Sequence, residues 1–329
     1  MFPLFLGTLV YQPVDPTPLG RGHWRFSLDH IRANTFEFSD VYQGIPVAGP
    51  PVGRERLTRD LIGLIGSWYP ERPVLFYFDE EVVRTSLRVR AGLGEDTDVW
   101  AELPFQSQTG GFLDSMIESF HHMGFAQFGR DRVRKNELVL AVVAHGQLQF
   151  YTEEPVRTRV QDPTLGVMHR FLAGPRGELS GYAMVKPPLT KMYGAYGSGW
   201  DYGFGLTARW QVSARHVLYA GGGLVRRPGG DLPFQAPALG RLTGGWGMHG
   251  TWAYQGWGRI RPYAQLYAQS GFLTRQPQMD LHRPSLQHDV GCHWLFRPNA
   301  ALTIRYLNNL THNQNTADMG LGLSLTVSF

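Results

Sequence analysis

The chain ends in MGLGLSLTVSF, which alternates without a fault. Met319, Leu321, Leu323, Leu325, Val327 and Phe329 project to one side; Gly320, Gly322, Ser324, Thr326 and Ser328 project to the other. A period of two is that of a β-strand, here with one apolar face and one small polar face. The pattern recurs backward. In ALTIRYLN, Leu302, Ile304 and Tyr306 oppose Thr303 and Arg305. In LQHDVGCHWLF, Leu286, Val290, Cys292, Trp294 and Phe296 oppose Gln287, Asp289, Gly291 and His293. In IRPYAQLYAQ, Ile260, Ala264, Leu266 and Ala268 oppose Arg261, Tyr263, Gln265, Tyr267 and Gln269. In WDYGFGLTARW, Trp200, Tyr202, Phe204, Leu206 and Trp210 oppose Asp201, Gly203, Gly205, Thr207 and Arg209.

The spacing predicts twelve strands, at 23–37, 82–93, 97–107, 162–173, 178–190, 199–211, 215–226, 240–254, 259–271, 286–297, 300–310 and 317–329. Tight turns such as LGED, AGPRGE, SARH, QGWG and RPNA alternate with longer connections at 38–81, 108–161, 191–198, 227–239, 272–285 and 311–316. An even strand count with short and long connections in turn is the pattern of a bacterial outer-membrane barrel, with short turns in the periplasm and long loops outside. A soluble sandwich shares the period but not the rest. Here Arg, Asp, Gln and Tyr recur on the polar face. Aromatics, among them Trp24, Trp200, Trp210, Trp246, Trp252, Trp294 and Phe329, gather at strand ends as in a membrane girdle. The reading is therefore all-β: a single antiparallel up-and-down transmembrane β-barrel over 1–329, with 38–81 as a long extracellular loop. Closure satisfies every backbone polar group in lipid, which an open sheet cannot do.

Composition narrows the function classes. A net charge of +4 with basic residues spread singly along strands gives no nucleic-acid arm. One cysteine, Cys292, excludes an internal disulfide, and no zinc spacing occurs. No apolar run reaches the length of a transmembrane helix. The apolar start MFPLFLGTLV lacks a basic n-region and a small-residue cleavage site; for a barrel, the expectation is an integral outer-membrane protein with both termini periplasmic and its signal peptide removed. No phosphate-loop, zincin or nucleophile-elbow motif is present, and no cofactor or metal is expected.

GGFLDSMIESFHHMGFAQFG, from Gly110 to Gly129, breaks the pattern. Leu113, Met116, Ile117 and Phe120 form an apolar stripe at helical spacing, with Asp114 and Glu118 one turn apart. Together with FPLFLG, GRGHWRFSLDHIRANTF, ELPFQSQTGGFLDSMIESFHHMGF, GRDRVRKNEL and THNQNTADMGLGLSL, this stretch resembles an uncharacterised family of bacterial outer-membrane barrels catalogued as a domain of unknown function. The resemblance covers most of the chain, and GGFLDxxIExFH is its specific part. It implies fold and location and carries no activity. The 44–73 insertion departs from it, since shorter loops are expected there.

If the apolar face meets lipid, the other face lines the interior. Arg84, Arg88, Arg90, Glu102, Arg209, Arg261, Tyr263, Tyr267, Asp289 and Arg305 are the candidate pore-lining or solute-contacting residues. Two readings stand for them: a packed salt-bridge network, or an anion-favouring pore, since the arginine fork suits carboxylate and phosphate. The 110–130 segment is expected to be a plug that folds inward, or a lid outside the lumen. Its candidate residues are Phe112, Asp114, Ile117, Glu118, Phe120 and His121. Asp114 and Glu118 would face the strand-2 arginines, and the apolar stripe would pack on 58–70 or on Phe125 and Phe128. His121 and His122 read as surface histidines. The functional expectation is a channel or transporter for small, anionic or amphipathic solutes, with the 110–130 helix as an inward-folded constriction; its partners are the outer-membrane bilayer, the barrel-assembly machinery and a small solute, without nucleic acid. The alternatives are a sealed structural or assembly barrel, and a membrane-embedded lipid hydrolase built on Ser270 and His288.

Overall fold

A computed structural model describes residues 9–39, 42, 56–121, 134–192, 195–196, 199–228, 237–271, 273, 282–311 and 317–329. Twelve strands close into an antiparallel barrel. In chain order they are β1 (Trp24–Phe38), β2 (Leu75–Gly92), β3 (Thr97–Thr109), β7 (Thr164–Ala173), β8 (Gly177–Lys186), β11 (Asp201–Gln211), β12 (His216–Arg226), β13 (Gly245–Tyr254), β14 (Ile260–Gln269), β15 (Ser285–Arg297), β16 (Ala300–Asn309) and β17 (Met319–Ser328). Each pairs with its neighbour in the chain, β1 with β17 and β2 with β3, so the ring has no edge. The seam runs from Arg25 opposite Ser328 to Asn34 opposite Met319. The expected strands are all present. β2 begins seven residues earlier than the spacing predicts, because its first part also has a partner outside the ring.

The two faces separate as the alternation requires. Trp24, Phe26 and Leu28 are exposed on the outside of β1, as are Phe204, Leu206 and Trp210 on β11 and Leu321, Leu323 and Leu325 on β17. Exposed aromatics mark both ends: Trp24, Trp210, Trp252, Trp294 and Phe329 by the short turns, Trp200 and Tyr202 by the loops. In water this belt would be a large uncovered apolar surface; tilted strands of about ten residues bring it to the height of a hydrocarbon core.

The long connections hold structure that the periodicity did not reveal. Three strands, β4 (Val139–Ala144), β5 (Gln147–Thr152) and β6 (Val156–Val160), lie in the expected 108–161 loop, and a two-rung ladder, β9 (Lys191–Met192) with β10 (Ala195–Tyr196), lies in the next. β4 extends the upper end of β2, from Leu75 opposite Val143 to Asp79 opposite Val139, and β6 extends β3. Helix α1 (Arg59–Ser67) starts at Thr58, whose hydroxyl accepts from the Leu61 amide, and buries Ile62 and Ile65 against Tyr77, Val139 and Val143. The 58–70 segment therefore packs on the β4–β5 hairpin, not on the 110–130 helix.

On the opposite face of this extension, Phe76 and Phe78 point inward. They join Leu140 and Val142 to Leu239, Leu242 and Leu273, which come from the loops after β12 and β14 on the far side of the ring. An apolar cluster thus spans the loop end of the barrel. Phe78 is fully buried there. Phe78→Ala is expected to cost about 3–5 kcal/mol in a urea unfolding titration of the refolded barrel, the usual loss for a phenylalanine removed from a core.

Candidate functional site: the barrel lumen

Inside the wall, charge meets charge. Glu102 is almost fully buried, and its carboxylate accepts from Arg84 Nη2 at 2.9 Å and from Arg88 Nε at 3.1 Å. Arg90 Nε donates to Asp98 at 2.6 Å. Arg209 and Arg170 both reach Glu178 at 3.3 Å, and Arg305 approaches Asp289 at 3.7 Å. Lys186 lies 3.0 Å from Asp162 and 3.5 Å from Asp201. The Tyr263 hydroxyl donates to Asp289 at 3.0 Å, and its ring stacks on His293. Arg261 faces His293 across the β14–β15 ladder. The candidate lining residues thus share the inner wall. Acids beyond the candidate residues, Asp98, Asp162 and Glu178 at the wall and Asp15 on the segment inside it, also pair with its cations. A buried guanidinium without an acid would be too costly to keep, so pairing is what low dielectric demands.

The N-terminal segment runs through this lumen. Residues 9–19 leave β1 at a turn where Gly20 and Gly22 take positive φ (83° and 79°), a conformation other residues rarely adopt. From the short-turn end they climb toward the loops in no regular structure. Pro13, Pro16 and Pro18 remove three amide donors that would otherwise need partners. Side chains of the wall bond several of the remaining backbone groups. Asp98 accepts from the Leu19 amide at 3.0 Å, and Arg90 donates to the carbonyls of Asp15 and Thr17. Ser180 donates to Pro16, Thr207 to Val14, and Tyr267 to Tyr11. At the top, Asp201 accepts from the Leu9 amide at 2.7 Å while Arg227 donates to the Leu9 carbonyl. Side chains follow suit: Gln12 meets Arg88, and Asp15 pairs with Arg25 at 2.9 Å. A cavity of about 150 Å³ remains beside the segment, lined by Gln12, Asp15, Arg25, Arg88, Arg90 and Trp100 among others. That is the size that holds one benzene in an engineered core, too little for a continuous conduit.

The 110–130 helix is elsewhere. Helix α2 (Leu113–His121) starts over Glu81, whose carboxylate accepts from the amides of Phe112 and Leu113 and pairs with Arg32 at 2.7 Å. Leu113 and Ile117 pack on Met319 and Tyr306. Asp114 accepts from Asn34 and from the Asn136 amide, and Glu118 pairs with Lys135. Arg32, Asn34, Glu81, Tyr306 and Met319 all have outward parity on their strands. The described part of α2 therefore leans on the outside of the wall, on the lid side of the two expectations, and its acids do not meet Arg84, Arg88 or Arg90. The side chains of Phe120 and His121, and His122, Phe125 and Phe128, lie outside the described residues.

Ser270 and His288 do not form a hydrolase pair. Gln269 faces Ser285 and Leu266 faces His288, so the two are about four residues, on the order of 13 Å, apart along the ladder. Ser270 is instead bonded to Trp246 through its hydroxyl and its amide. Among the described residues no group of three His, Cys, Asp or Glu side chains could hold a metal ion.

The sequence reading missed the threaded segment. Its signals were YQPVDPTPL, too proline-rich to pair as a strand, and the inward glycines Gly203, Gly205, Gly221, Gly223 and Gly247, which leave the wall recessed. The fold and its filled lumen define a twelve-stranded transmembrane barrel. The chain belongs to the family described as "Protein of unknown function (DUF3187)", which matches residues 65–329. No curated protein matches it in sequence. Among solved structures it is similar to the COG4313 outer membrane channel from Pseudomonas putida F1, at 11% identity and TM-score 0.58, over 97% of this chain and 100% of that one. Weaker likenesses include the KdgM porin (7% identity, TM-score 0.44, 92% of this chain and 99% of that one) and the NanC porin (10%, 0.43, 75% and 93%). At such identities the likeness is one of fold.

The Glu102 cluster gives a direct test. Glu102→Leu leaves Arg84 and Arg88 facing each other without their shared acid, and is expected to destabilise the refolded barrel by about 3–5 kcal/mol in urea. Arg209→Leu, at the wider and wetter Glu178 pair, should cost about 1 kcal/mol or less.

Proposed function

We propose that this protein is an outer-membrane channel for small anionic or amphipathic solutes, closed in the described conformation by its own residues 9–19. The short turns face the periplasm and the long loops the outside, and the barrel-assembly machinery inserts it into the bilayer. The observation that carries the reading is how the lumen is filled. Among the described residues a separate, strandless segment, 9–19, occupies the space between the wall side chains, held by polar groups that could as well hold water or solute. The similarity to an outer-membrane channel supports the same reading.

The solute preference follows from what the segment covers. If it left, Arg88 would lose Gln12, Arg25 would lose Asp15, Arg90 two carbonyls and Arg227 one. The acid Asp15 would leave as well. The vacated lumen is more positive than the filled one, and a water-excluding wall makes that bias strong. The apolar cluster across the loop end favours a second reading, a permanently sealed structural barrel.

Conductance in a planar bilayer decides between them. Removing residues 1–19 is expected to raise single-channel conductance severalfold and to make it anion-selective under a salt gradient. Removing 110–130 should leave conductance unchanged, since α2 leans on the outside. A folded barrel that stays silent without residues 1–19 would establish the sealed reading.

A further inference from the structure

The segment enters one place in the wall that is shaped for a ring. Tyr11 is almost fully buried. Its ring lies 5.9 Å from that of Tyr267, nearly parallel at 16°, and 5.8 Å from the imidazole of His249 at 33°. Tyr182 stands 6.5 Å away on another side. The floor is glycine. A Cβ at Gly247 would come within 2.5 Å of the Tyr11 Cβ, one at Gly221 within 2.9 Å of the hydroxyl, and one at Gly223 within 3.1 Å of the ring edge. Three neighbouring strands, β12, β13 and β14, thus present bare backbone or an aromatic plane where the ring sits. The slot also has a polar end: the Tyr11 hydroxyl lies 2.6 Å from Nδ1 of the buried His249.

What the slot recognises is the side chain more than the peptide. Among the described residues, the slot bonds the Tyr11 main chain at its carbonyl alone, from the Tyr267 hydroxyl. The ring and its hydroxyl receive the aromatic planes, the glycine floor and the imidazole. A free molecule with the same two features would satisfy the same groups. A ring without the hydroxyl would leave the His249 nitrogen buried without its bond, and sites built to bond a hydroxyl reject analogues that lack it.

We propose that the slot holding Tyr11 is a binding site for a hydroxylated aromatic ring on the solute, and that Tyr11 is its resident competitor. The inference rests on the channel reading for its physiological sense, and it narrows the amphipathic solute to the phenolic class. Opening then couples to occupancy, because a ligand that takes the slot removes one anchor of the segment.

The test uses p-cresol, the tyrosine side chain as a free molecule, and toluene, the same ring without the hydroxyl, titrated calorimetrically into the full-length refolded barrel in detergent. In Tyr11→Ala the competitor is gone, and p-cresol is expected to bind at least tenfold more tightly than to the wild type. Toluene should bind that variant at least tenfold more weakly than p-cresol. In Tyr11→Ala with His249→Phe, where the Tyr182 hydroxyl remains near the slot, the preference for p-cresol over toluene should shrink at least threefold. Tyr11→Phe, which keeps the packing and loses only the hydroxyl, guards against a folding defect: p-cresol should bind it more tightly than the wild type. Equal p-cresol affinity for the wild type and both Tyr11 variants would overturn the proposal, as would toluene matching p-cresol in Tyr11→Ala. Binding is read without a bilayer. Tight p-cresol binding beside a silent bilayer would therefore keep the slot and remove the conduit, whereas conductance without p-cresol binding would keep the conduit and remove the slot.

Discussion

Everything in this molecule depends on the pairing of its first and last barrel strands. Hydrocarbon offers no partner to a backbone amide, so a sheet that enters a membrane must have no edge. The seam between Arg25–Asn34 and Met319–Ser328 removes it. Once closed, the ring fixes which side chains point where, because the side-chain period is two and a slip of one residue would exchange lipid and lumen faces along a whole strand. The faultless alternation of the last strand follows from that: outside, Leu321, Leu323 and Leu325 meet lipid, while inside, glycine and hydroxyl side chains leave room for what the barrel holds.

Closure creates a second problem. Eight strands make an interior that side chains just fill, and sixteen or more make a water-filled pore. Twelve leave a space too wide for side chains alone. Here two materials share it. Ion pairs such as those at Glu102 and Glu178 line the wall, and residues 9–19 occupy the middle. The two are interdependent, since Arg88, Arg90 and Asp98 hold both a wall partner and the segment. Over the loop end, Phe76 and Phe78 reach across to Leu239 and Leu273, which makes that closure apolar while the one below is polar.

Much of this was legible in the residues, for identifiable reasons. Strand positions, their number and their facing follow from a local period, so Arg84, Glu102, Tyr263 and Arg305 could be assigned to the inner wall without knowing the ring. Features that depend on non-local choice were not legible. The described part of α2 is held by Glu81 and Met319, residues far from it in sequence. The hairpin at 139–152 pairs with an extension of β2, Leu75–Asp79, that has no reason to alternate, because both of its faces are covered. The threaded segment carries no period at all; prolines, which forbid strand pairing, and glycines on the facing wall were its only marks.

The turn at Gly20–Gly22 joins the segment to β1 at the short-turn end. A freed segment therefore cannot diffuse away. It hangs from the rim on a tether of about a dozen residues, and a tethered group returns to its site as though present at millimolar concentration. Reclosure is then a first-order event, indifferent to how many copies the membrane holds. On the channel reading proposed above, a solute in the lumen would compete with a rival whose concentration never falls, so only abundant or tightly held molecules would keep the way open.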